Sequence, residues 1–89
     1  MTATREEVYA ALDSERCYQD DMSEKYGYHS SSDRTLDEFI LYIQQYAHEA
    51  GALSTHGDET QALEFVRKVG GLCVGCMERH GAPHRPKVS

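Results

Sequence analysis

The residues best equipped for chemistry lie late in the sequence, where Cys73-Val74-Gly75-Cys76 is followed by His80 and His84. Thiolates and imidazoles are zinc ligands, but a tetrahedral site holds every donor within ~2.3 Å of one ion. On one helix these four residues extend over ~16 Å, at 1.5 Å of rise per residue. At most Cys73, Cys76 and His80 meet at one ion, and only across a sharp break in the helix. The pattern reads instead as buried cysteines acting as small hydrophobes. A thioredoxin-type redox role is a weaker reading, since that motif belongs at a strand-to-helix turn in a βαβ setting.

Carboxylates form the next set. Glu15-Arg16 on an N-terminal helix, followed by two amphipathic segments, resembles the all-α nucleoside triphosphate pyrophosphohydrolases of the MazG type. Those enzymes hold magnesium between a Glu-x-x-Glu-like cluster on one helix and Glu-x-x-Asp on the next. Magnesium needs hard oxygen ligands converging from both helices. Here Glu49 has Gln45 and Tyr46 where its partners should lie, and Glu64 is followed at the decisive spacing by Arg67. A cation there repels the metal. Hydrolysis with Glu49 and Glu64 on magnesium therefore stands as the alternative reading only.

Aromatic rings and cations remain. The chain has six tyrosines and no tryptophan. Tyr9, Tyr18, Tyr26 and Tyr28 are interleaved with Arg16, Lys25 and Arg34, and Arg67-Lys68 add charge further on. Tyrosine rings stack bases while Lys and Arg pair phosphates, so the set suits a nucleotide. The competing reading makes Tyr9 and Tyr18 half-buried core residues and pairs Arg16 with Asp13 or Asp20.

Three helices must position these groups, giving an all-α fold in a single domain spanning 1–89. The first runs over about 4–22, opened by a Thr4…Glu7 capping box and carrying Val8, Ala11 and Leu12 on one stripe. Residues 23–34 read as an ordered loop anchored by Tyr26 and Tyr28. The second helix, 35–50, opens with the Thr35…Glu38 box, and Leu36, Phe39, Ile40, Ile43, Tyr46, Ala47 and Ala50 repeat at threes and fours. Gly51 is expected to stop it. The third, 59–80, follows an Asp58 N-cap and ends at Gly81 and Pro83, leaving a basic segment at 82–89. From Val69 to Met77 every residue is apolar or glycine, and a helix apolar all round is buried all round. Two partner helices cover it poorly. Its glycines each cost ~1 kcal/mol against alanine, which close helix approach over Gly71 and Gly75 would offset. The segment is therefore expected at a subunit interface of an antiparallel helical protomer. A β-strand there is the alternative.

Composition narrows the classes further. At 89 residues with 39% hydrophobic and 27% charged side chains, the chain suits one small globular domain. Nine Lys+Arg against fifteen Asp+Glu give a formal charge of −6, which argues against nucleic acid polymers and anionic membranes. A small anionic ligand stays open, because a pocket can be locally positive. Three cysteines, no apolar run of ~20 residues and no leader-like start point to a soluble cytosolic chain without a disulfide framework.

Three stretches carry a resemblance over most of the chain: Glu15-Arg16-Cys17-Tyr18-Gln19-Asp20, Ala62-Leu63-Glu64-Phe65-Val66-Arg67-Lys68-Val69 and Met77-Glu78-Arg79-His80-Gly81-Ala82-Pro83. Together they are similar to the tailed-phage anti-CBASS sponges, which sequester cyclic oligonucleotides. The resemblance implies a homohexamer of compact helical protomers that is not an enzyme, needs no cofactor or metal, and works in the host bacterial cytoplasm. Its ligands would be cyclic di- and trinucleotides. It implies a stacking tyrosine, Tyr9 or Tyr18, with Lys25 or else Arg34 on the cyclic dinucleotide, and Thr35 with Arg67 in a separate trinucleotide pocket.

Overall fold

The structure is a computed structural model and describes residues 2–26 and 34–87. It is all-helical: α1 spans Arg5–Tyr26, α2 Leu36–Thr55 and α3 Glu59–His80. No strand occurs among the described residues, so the apolar run at 69–77 is helical.

Local sequence sets each helix start. The Glu7 N–H donates to the Thr4 hydroxyl at 3.1 Å, and the Thr4 N–H donates back to the Glu7 carboxylate at 3.2 Å. Thr35 and Glu38 repeat the arrangement, with both bonds at 3.1 Å. Asp58 caps α3 by accepting from the Gln61 N–H at 3.0 Å. Each box satisfies amide groups that have no intrahelical partner.

Two helix ends differ from expectation. α1 continues past Met22 to Tyr26, so Tyr26 belongs to the helix and not to a loop; the rest of the loop reading, with Tyr28, lies outside the described residues apart from Arg34. α2 passes through Gly51 and ends at Thr55. Ala50 is buried and Leu53 half-buried, so the helix gains apolar burial on either side of Gly51, against the ~1 kcal/mol a helical glycine costs. The turn falls instead at Gly57, whose φ of +83° is readily open to glycine. There the Gly57 N–H donates to Ser54 O and the Asp58 N–H to Leu53 O. Gly81, at φ +121°, ends α3 where expected.

α3 is the central element and packs against both other helices. Toward α2 it presents Leu72 and Cys76, which enclose Phe39 at 1% exposure, with Ile43 and Tyr46 alongside. Phe39 near the start of α2 meets the His80 ring at the end of α3, edge to face at 5.9 Å, and Tyr46 meets Phe65 at 5.9 Å.

Toward α1 the surface of α3 is glycine. A Cβ at Gly70 would strike Leu12, and one at Gly71 would lie 2.7 Å from Glu15 Cγ and 2.8 Å from Gln19 Nε2. At Gly75 it would sit 3.2 Å from Arg16 Nε. The close approach expected over Gly71 and Gly75 thus exists, but its partner is α1 of the same chain. The expectation of burial all round is also corrected. Gly71, Leu72, Gly75 and Cys76 are buried, Val69, Gly70, Cys73 and Val74 are half-buried, and Met77 is exposed.

Candidate functional site

α1 and α2 flank α3 without packing closely on each other, and a cleft of about 290 Å³ opens between them. α1 contributes Glu15, Tyr18, Gln19, Met22 and Ser23 to it; α2 and the residue preceding its cap contribute Arg34, Phe39, Tyr42 and Tyr46. Lys68 and Leu72 of α3 form its floor. Helical spacing explains the lining. Phe39, Tyr42 and Tyr46 step by three and four along one face of α2, so three rings share a wall.

Two cations line the same cleft. The Arg34 guanidinium lies over the Tyr42 ring at 4.8 Å and reaches Phe39 at 5.8 Å. Lys68 Nζ sits 4.5 Å from the centre of the Phe65 ring. Neither cation has a carboxylate partner among the described residues. The Arg34 carbonyl lies 3.0 Å from His80 Nε2, which ties the backbone of that residue to α3 when this nitrogen carries the proton.

Among the described residues Glu15 is the one carboxylate lining the cleft, and it is 5% exposed and already engaged. It accepts from Arg67 Nε at 2.9 Å and, weakly, from Gln19 Nε2 at 3.4 Å. Gln19 Nε2 also lies 3.4 Å from the Lys68 carbonyl. Arg67 therefore follows Glu64 in sequence but serves α1 in space. The lining can stack an aromatic base and pair an anion at Arg34 and Lys68.

The residues expected from the sequence are not all brought together. Tyr18 and Arg34 line the cleft, and Tyr18 also borders a shallower hollow with Ser14, Glu15, Glu64, Arg67 and Lys68. Tyr9 stands exposed on α1, Lys25 is exposed in its last turn, and Thr35 is occupied as an N-cap. These three do not line the cleft. Arg16 pairs with Asp20 at 2.8 Å and with Glu78 of α3, as the competing reading of that arginine held for Asp20. Sequence reasoning did not use Tyr42, whose signal was its place between Phe39 and Tyr46.

Cys76 is a core residue beside Phe39 and Leu72. Cys73 is half-buried, and burial followed by the neighbouring Cys76 pushes its thiol pKa above the ordinary value. All three cysteines are free thiols. Among the described residues no three His, Cys, Asp or Glu side chains gather as a metal-binding group. Glu64 borders the shallow hollow, whereas Glu49 is exposed and lines neither recess. No described helix is long and apolar enough to cross a membrane.

No family model matches the chain, and neither a curated protein nor a solved structure is significantly similar to it.

Proposed function

We propose that this chain binds a nucleotide in the α1/α2/α3 cleft and holds it without chemical turnover, with cyclic di- and trinucleotides as the ligand class. The observation that carries the reading is the convergence of Tyr18, Tyr42 and Tyr46 with Arg34 and Lys68 on one cleft. Rings supply sequence-tolerant stacking and unpaired cations supply phosphate recognition. A net charge of −6 keeps polymeric nucleic acid away while leaving this recess locally basic.

The volume bears on assembly. At about 290 Å³ the cleft sits at the small end of ligand pockets, enough for one base with its phosphate. A cyclic dinucleotide carries two of each, so two clefts, from two protomers, enclose it better than one. This supports the homo-oligomer, with the hexamer as the assembly implied by the resemblance. The order of the ring contacts, Phe39 with His80 and Tyr46 with Phe65, supports antiparallel packing of α2 on α3. The setting that follows is a phage protein in the host bacterial cytoplasm that intercepts a CBASS-type signal.

Native mass spectrometry with a panel of cyclic di- and trinucleotides tests the reading. Intact ligand masses added in a fixed ratio to the protomers are expected. No adduct with any member, or release of a cleaved product, overturns it.

A further inference from the structure

We infer that the outward face of α3 docks a second copy of this chain, with the two α3 helices running in opposite directions about a twofold axis near Gly70. The inference rests on there being an oligomer, as in the proposed function; this face lies across α3 from Lys68 and Leu72 of the cleft floor, so it joins copies independently of what the clefts hold.

Both neighbours of α3 occupy defined sectors. α1 takes Arg67, Gly70, Gly71, Gly75 and Glu78 through the contacts with Leu12, Glu15, Arg16 and Gln19. α2 takes Phe65, Leu72, Cys76 and His80. With ~100° of rotation per residue, a third sector remains, containing Glu59, Val66, Cys73 and Met77 with Leu63 at its edge. Leu63, Val66 and Met77 are 60%, 53% and 44% exposed. From Glu59 the positions 63, 66, 70, 73 and 77 alternate steps of four and three, the spacing of a seam between two helices. Within that row Leu12 of α1 meets Gly70, while Leu63, Val66 and Met77 stay exposed.

Charge selects the occupant. α3 begins with Asp58 and Glu59, whereas the segment 81–87 that follows it is exposed and carries His84, Arg85 and Lys87. Parallel pairing would stack like charge on like. Opposed pairing brings the basic segment of each copy to the acidic start of the other, and the twofold axis makes that match twice. It also sets the two helix dipoles against each other favourably. Two chains of net charge −6 otherwise repel, so this basic segment is what draws a second copy in.

Light-scattering mass of the purified chain is expected to give a dimer or an even multiple of it. Val66→Lys, at an exposed position, should shift the mass to half or less while helical circular dichroism stays unchanged. Under mild oxidation, Val66→Cys should link its new thiol to Cys73 of the other copy. Glu59→Arg should weaken association at least tenfold, and adding Arg85→Glu with Lys87→Glu should restore it. A wild-type monomer at 100 µM overturns the inference, as does linkage between two position-66 thiols or a folded Val66→Lys variant of unchanged mass. Ligand titration reads the cleft while mass reads this face, so either reading can fail alone.

Discussion

Arg16 of α1 closes side-on upon Glu78 of α3, its Nε donating to Oε2 at 3.0 Å and its Nη2 to Oε1 at 3.1 Å. The same guanidinium lies over Gly75 and bonds Asp20 through Nη1 at 2.8 Å. Arginine can fill this place because its planar fork meets a carboxylate with two parallel bonds. Glycine at 75 lets the fork come down against the α3 backbone. Burial lowers the pKa of the group, but the bonds and charges of Asp20 and Glu78 outweigh it, and the net shift is upward.

Arg16→Lys keeps the charge and loses the fork. At 8% exposure the residue has little water to replace a lost bond, and the variant should be less stable by about 1–2 kcal/mol. Glu78 is half exposed, so Glu78→Gln should lose less, about 0.5–1 kcal/mol. Urea unfolding followed by circular dichroism gives both numbers. Equal stability of wild type and Arg16→Lys would show that the paired geometry contributes nothing.

Two glycines in helix interiors should respond to alanine in opposite directions. Gly51 has open space where a Cβ would go, so Gly51→Ala should stabilise by about 0.5–1 kcal/mol through helix propensity. At Gly71 the new methyl meets Glu15 Cγ at 2.7 Å. Forcing α1 away there should destabilise by about 1–3 kcal/mol. Melting temperatures of the two variants must move apart; a rise in both would mean that α1 does not press on Gly71.

What the sequence made legible follows from the range of each interaction. The Thr4 and Thr35 boxes and the Asp58 cap were readable because each is complete within four residues. The α2 stripe was readable because Phe39, Ile43, Tyr46 and Ala50 share one face by period alone. Gly51 misled, since an exposed helical glycine and a stopping glycine look alike until Gly57 is seen to adopt the positive φ. The glycines of α3 signalled close approach correctly, but which helix approaches depends on pairings such as Gly71 with Glu15, 56 positions apart in sequence. The cleft was legible in kind and not in place. Tyr18, Arg34 and Lys68 belong to separate segments, and nothing local to Tyr42 tells that it faces them.

The cleft separates the two cations that the resemblance offers for a cyclic dinucleotide. The resemblance implies Lys25 or else Arg34, and the geometry places Arg34 over Tyr42 with Lys68 in the same cleft, while Lys25 lies outside it. Titration of a cyclic dinucleotide into Arg34→Ala and Lys68→Ala should show affinity about tenfold weaker in each, the scale of one charge-assisted phosphate contact. Lys25→Ala should bind as wild type does. Loss confined to Lys25→Ala would move the site to the last turn of α1.

The three thiols should react in the order Cys17, Cys73, Cys76, following exposed, half-buried and buried positions. Only the thiolate is alkylated, and burial, then Cys76, raises the pKa of Cys73. Iodoacetamide at pH 8 should therefore label Cys17 first, with Cys73 following and Cys76 labelled only on unfolding. The same shift fixes the sign of a stability effect. A thiol whose folded pKa lies above its unfolded value stays protonated longer in the folded chain. Its contribution is complete below the unfolded pKa, near 9.0, and declines as pH rises through the folded one. Cys73→Ser, which has no thiol to ionise, should lose less stability than wild type as pH rises above about 9.0. Parallel losses over that range would show that Cys73 ionises alike in both states.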